Sequence, residues 1–327
     1  MSSSPSRRLV VVVVGVALVL LAAVLIANAA DEDPGPESST QAGSSVSDKT
    51  EPGLDRPARG GVGPERHVGP QGRVGQFVAH CGYSHSAPDD PIVHFGHSGR
   101  SHRHDFYGST VIDASSTPEI LMAGGTTCDK TADTAGYWHP TLFDRGEIVV
   151  PRSIAAYYRA APGVDPTDVV TMPTGLALIA GDQTATEPQA GEAAGWVCGT
   201  HTRVSDDPPD CPVGAPLHLI LTFQDCWDGR NVDSEDHKSH VAYSVDGRCP
   251  SSHPVNIPQL TVSVAFPISG PDHDLTLASG NIYSAHGDFF NGWDPDGLER
   301  EINRCIHRDV VCDLASNREE EALFAGP

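Results

Sequence analysis

The sequence predicts a mainly β protein: a single β-sandwich or jelly-roll-like domain with long disulfide-pinned loops and one C-terminal helix. Short runs of β-branched and aromatic residues recur along the chain, separated by Pro, Gly and Asp. Twenty-seven prolines in 327 residues leave little room for long helices. Eight cysteines, an even number, supply the means of pinning the loops.

Taken in order, residues 1–8 read as a cytoplasmic tail, because Arg7 and Arg8 precede an apolar run and Asp31, Glu32 and Asp33 follow it. Residues 9–29 are Val-, Leu- and Ala-rich and reach the ~20 residues needed to span a bilayer. They read as a membrane anchor, with a signal peptide cleaved after Ala27-Asn28-Ala29 as the alternative. Either reading places the rest outside the cytoplasm. Residues 30–73 are rich in Pro, Gly, Ser and acids and cannot bury enough apolar surface to order themselves, so they read as a linker. The domain spans 74–314, and 315–327 form a tail. About 240 residues suit one domain able to bury about 70% of its surface.

Strands are expected at Gln76–Cys81, Ile148–Val150, Ser153–Arg159, Gly175–Ala180, Leu217–Phe223 and Leu260–Phe266. The last of these alternates large and small side chains, as a half-buried strand does. A helix is expected from Asp294 or Asp296, with Leu298, Ile302 and Cys305 or Ile306 on one face.

All eight cysteines lie in the domain and none forms Cys-x-x-Cys, which fits disulfides in an oxidising compartment and disfavours a zinc ribbon. Eight cysteines allow 105 pairings. The expectation joins neighbours along the chain: Cys81 with Cys128, Cys198 with Cys211, Cys226 with Cys249, and Cys305 with Cys312. Each bridge would contribute on the order of 2–4 kcal/mol.

The formal charge of −22, with lysine only at Lys49, Lys130 and Lys238, argues against a nucleic-acid partner. The sequence lacks a Gly-x-Ser-x-Gly elbow and a Gly-rich phosphate loop.

Sixteen histidines are the chemical signal. His102 and His104 project from one face if their segment is extended, where they can share a ligand. Gly96 followed by His102-x-His104 opens like a cupin metal motif, yet Gly108 and Ser109 stand where its glutamate belongs. The segment Cys226–His240 carries Asp236, His237 and His240 among further acids, and His286-Gly287-Asp288 closes the set. The expected site joins these three stretches. His102, His237, Asp236 and Asp288 are the candidate catalytic groups, and His104, His240 and His286 the candidate ligands of one divalent metal ion. Trp227, Asn291 and Trp293 are candidates for binding a sugar through aromatic faces and an amide. His139 and His253 read as structural.

Several ordered motifs carry a resemblance: Ser101-His102-x-His104, Tyr137-Trp138-x-Pro140, Cys226-Trp227-Asp228-Gly229 through Ala242-Tyr243, Cys249-Pro250-x-x-His253-Pro254 and His286-Gly287-Asp288-Phe289-x-Asn291-Gly292-Trp293-Asp294. With these the chain resembles an exported domain-of-unknown-function family of bacterial and fungal secreted proteins. It departs at Phe223-Gln224-Asp225-Cys226, where the family more often has Phe-Pro. The resemblance implies secretion, and the company of carbohydrate-binding modules in fungal relatives tilts the substrate toward polysaccharide. The expected function is an envelope-associated, metal-assisted carbohydrate hydrolase or lyase with cell-wall or extracellular polysaccharide as partner. A non-catalytic glycan- or metal-binding module, and a structural domain with buried hydrogen-bonded histidines, are the alternatives.

Overall fold

Short β runs punctuated by turn residues form strands wherever one face can be buried. In a computed structural model, which describes residues 75–189, 193–199 and 204–312, they build a mainly β domain. The chain passes through β1 (Gln76–Ala87), β2 (His104–Gly108), helix α1 (Pro118–Ala123), β3 (Gly136–Pro140), β4 (Leu142–Asp144), β5 (Glu147–Val149) and β6 (Ser153–Arg159). It continues through β7 (Ala177–Gly181), β8 (Ala194–Cys198), β9 (Leu217–Thr222), β10 (Cys226–Trp227), β11 (Val241–Ala242), β12 (Val255–Asn256) and β13 (Gln259–Ala265). Last come β14 (Leu275–Leu277), β15 (His286–Phe290), helix α2 (Pro295–Glu301) and β16 (Val311–Cys312). The expected anchor or signal at 9–29, the linker to 73 and the tail 315–327 lie outside the described residues. No helix among the described residues is long and apolar enough to cross a membrane.

The main sheet runs β7-β15-β3-β2-β1-β6-β13-β9-β8, with β16 added in parallel to β1. β1 is its joint. Residues Gln76–Gly82 pair with β6, Tyr83–Ala87 pair with β2, and the register shifts between Tyr83 and His85. A bulge of this kind lets one strand serve two leaves. The β6-β13-β9-β8 leaf and the β2-β3-β15-β7 leaf therefore pack face to face.

Alternation supplies the core between them. Ile154, Ala156 and Tyr158 of β6 and Leu260, Val262 and Val264 of β13 point inward, toward Tyr137 of β3, Leu178 of β7 and Phe289 of β15. The Phe289 ring centre lies 5.2 Å from Tyr137 and 6.5 Å from both Tyr158 and Phe223. A second apolar cluster sits on the other side of the second leaf, where Phe106, Trp138 and Ile179 meet Ile92 and Ile112 from the covering loops and Leu121 of α1. That covered outer face is where the histidines gather.

Four disulfides close Cys81–Cys128, Cys198–Cys211, Cys226–Cys249 and Cys305–Cys312. At the C-terminal end, Asp294 caps α2 through Gly297 N–H and Pro295 takes the first helical position. Leu298, Ile302, Cys305 and Ile306 are all buried, the last three on a π-helical turn (Ile302–Ile306) that extends the helix. The short α1, capped by Thr117, has no counterpart among the sequence expectations.

Candidate functional site

His104 opens β2 and His286 opens β15, on either side of β3. In register, Phe106 faces Trp138, and Trp138 faces Asp288, so His104, Phe106, Asp288 and His286 share the covered outer face. His102 arrives from the loop just before β2. The ring centres of His102 and His104 are 4.2 Å apart, those of His102 and His286 5.0 Å, and those of His104 and His286 5.8 Å. One nitrogen from each ring lies within 4.8 Å of the others.

The hydrogen bonds orient these rings. His104 donates Nδ1–H to the Asp89 carbonyl at 2.9 Å, and His286 donates Nδ1–H to the Ser284 carbonyl at 2.8 Å. Each backbone acceptor leaves the lone pair on Nε2, the arrangement usual around imidazole ligands of metals. Nε2 of His102 and Nε2 of His104 are buried and have no hydrogen-bond partner. Burial pushes His102 down to about 4 and His286 down to about 3, and holds His104 well below the usual histidine range. All three are neutral at ordinary pH and need release no proton to bind a cation. Three neutral nitrogens gathered this closely are a donor set of the kind that suits zinc or copper, whose bonds to imidazole run ~2.0–2.1 Å for zinc.

A cavity of about 110 Å³ adjoins the trio, bounded by His286, Asp288, Asp90, Asp236, His237 and Lys238. Asp288 is buried and its Oδ2 has no partner. Burial first, and Asp90 second, push its carboxyl well above the ordinary carboxylate range, which favours the protonated form. Asp90 is shifted the same way by burial, although its Oδ1 accepts from Ile92 N–H and Val93 N–H. Lys238 donates from Nζ to the Gly181 carbonyl at 2.9 Å.

The Cys226–His240 segment is divided in its contribution. His237 borders the cavity with its Nδ1 2.9 Å from the Asp233 carboxylate, on a backbone of positive φ (57°). Asp236 also borders it, but its Oδ1 accepts from Ser234 Oγ, Lys238 N–H and Ser239 N–H, which holds it well below the usual range. That carboxylate shapes the turn. The expected ligand His240 stays apart from the trio, with Nε2 2.7 Å from the Ala177 carbonyl and Nδ1 2.9 Å from Ser234 Oγ. Both its nitrogens are committed.

The expected sugar platform does not form. Trp293 is 1% exposed and donates Nε1–H to Tyr158 Oη at 3.1 Å within the core. Asn291 is buried too, donating Nδ2 to the Met172 and Pro173 carbonyls and accepting from Trp293 N–H. Trp227 is half-buried and donates to the Asn231 carbonyl at 2.6 Å. These side chains fix loops, because a buried amide or indole must find partners. His139 is likewise bonded inside the core, to Tyr107 Oη and the Pro140 carbonyl, and His253 meets the Ser239 carbonyl. Sequence reasoning passed over Asp90 and Lys238. Asp90 precedes Pro91 and resembles an ordinary turn residue, which it also is.

No curated protein and no solved structure matches the chain. A family model described as "Domain of unknown function (DUF1996)" matches residues 90–293, which is more than half of the chain. The matched stretch contains the whole histidine trio and every residue named around its cavity, and the chain belongs to this DUF1996 family.

Proposed function

We propose that His102, His104 and His286 hold one divalent metal ion, and that the domain is an extracytoplasmic, metal-dependent enzyme acting on carbohydrate. Hydrolysis is the first choice of reaction and elimination the second. The observation that carries this reading is the meeting of three neutral imidazoles beside a buried carboxyl whose Oδ2 has no partner. A structural role for the trio leaves the unpartnered Nε2 atoms of His102 and His104 without an explanation, because buried polar atoms normally find partners.

A bound ion would supply Lewis acidity and a more acidic coordinated water. The chain supplies the rest. Asp288, whose carboxyl burial pushes up, stands at the cavity in the role of general acid. His237, oriented by Asp233, stands at the same cavity as a second proton-transfer group. A volume of about 110 Å³ admits a few waters or one substituent, so a polysaccharide would lie across the loops and insert a single group. The carbohydrate assignment itself is supported only by the family resemblance. Four disulfides fit an oxidising compartment, and the 9–29 segment would anchor the protein at the envelope or direct its secretion.

Metal analysis of the full chain after incubation with zinc, copper, nickel and manganese tests the site. About one equivalent is expected, with at least a tenfold loss of affinity in His104→Ala. Absence of stoichiometric metal under all four conditions refutes it. Bound metal without cleavage of any of a panel of cell-wall polysaccharides would refute the enzyme and leave the metal site standing.

A further inference from the structure

The first leaf has an outward face of its own, remote in the sheet order from the histidine strands and sharing no lining residue with their cavity. It carries an open groove of about 610 Å³, within the ~300–1,000 Å³ typical of small-molecule sites. The register explains its composition. Tyr157 of β6 stands opposite Thr261 of β13, which stands opposite Thr222 of β9, and Ala155 stands opposite Ser263. Residues directly opposite share a face, so hydroxyls collect at one end while Ala155 keeps the floor low. His218 adds an imidazole whose Nδ1 is 2.9 Å from Ser263 Oγ.

Arg159, at the end of β6, completes this lining. Its Nε is buried and has no partner, and the side chain has no hydrogen bond or ion pair to any described residue. Thr261 Oγ1, one strand away, is buried and unpartnered as well. Although the protein carries a net charge of −22, no acid among the described residues lines this groove. A partly desolvated guanidinium without a counter-charge among the described residues is costly, and an arriving anion removes that cost. The guanidinium fork matches a carboxylate better than a point anion. The surrounding hydroxyls and imidazole match a ligand that is itself rich in hydroxyls.

We infer that this groove binds a polyhydroxylated carboxylate, an acidic sugar of one to three uronic acid units, with its carboxylate on Arg159 and Thr261. The site is separate from the proposed metal centre and stands or falls without it.

Titration calorimetry of the full chain with mono-, di- and trigalacturonate tests this, with cellotriose as the neutral control. Saturable one-to-one binding is expected for the uronates and none for cellotriose. Tightening from monomer to trimer identifies a polymer segment as the ligand, and equal affinities identify a free sugar acid. Arg159→Gln is expected to weaken binding at least tenfold, Arg159→Lys less, and Thr261→Val about threefold. His104→Ala is expected to leave it unchanged. Arg159→Lys and Thr261→Val keep the test open should Arg159→Gln fold poorly. Lack of saturation, equal binding of cellotriose, or loss in His104→Ala with none in Arg159→Gln overturns the assignment. So does a dimer that Arg159→Gln dissolves in a protein that binds no uronate.

Discussion

Asp133 shows how far burial alone can set the chemistry of one residue. It lies in the core, accepts a hydrogen bond from Tyr137 Oη at 2.8 Å, and belongs to a chain of groups through Tyr158 to Trp293. Burial raises its carboxyl from 3.8 to about 7. Below pH 4 the folded and unfolded chains both carry this proton; between 4 and 7 only the folded chain does. The folded protein therefore loses stability as pH rises through that window, by at most about 1.4 kcal/mol per unit, and the effect levels off above 7. Asp133→Asn cannot titrate, so the stability difference between wild type and variant should shift steadily against wild type from pH 4.5 to 7 in urea unfolding. A constant difference would show that the folded carboxyl is ionised throughout. The same physics explains what was legible in the histidines. His102, His104 and His286 stood out because His-x-His, if extended, puts both rings on one face and because His286 stands two residues before Asp288. His240 was indistinguishable from them, because its fate is decided by the Ala177 carbonyl 63 residues away.

At the level of elements, alternation and capping were readable and pairing was not. β6 begins and ends where its pattern predicted, and Asp294, one of the two expected starts, caps α2. α1 was missed because six residues carry too little periodicity to register. β1 outran its expected end at Cys81, since the residues beyond it alternate poorly and are held by a change of partner. The Cys226–Cys249 bridge makes its own prediction. It spans 23 residues and encloses Asp236, His237 and Lys238, which line the cavity, and Asp233, which holds His237. Replacing both cysteines by serine should cost on the order of 3 kcal/mol and make the 228–248 segment the first site of proteolytic nicking. Equal protease resistance with and without the bridge would show that side-chain hydrogen bonds suffice to hold this wall.

Across the whole molecule, the two leaves meet at Gly287. A Cβ there would fall 2.3 Å from Leu221 Cδ1 of the opposite leaf, while the residues on either side, His286 and Asp288, face the cavity. Packing between leaves and placement of the site are thus one constraint. Gly287→Ala should destabilise the fold by about 1–3 kcal/mol and also weaken metal binding, although it removes no candidate ligand. Unchanged metal affinity in a destabilised variant would separate the two. The parallel pairing of β1 with β16 has a temporal consequence. Gln76 lies beside Val311 and Gly75 N–H is held by Asp309 Oδ1, 234 residues further along, so β1 finds this neighbour only after every other described strand has been made. Loop closure over such a distance is slow. The newborn chain must therefore travel with that flank of β1 unclosed until β16 has been made.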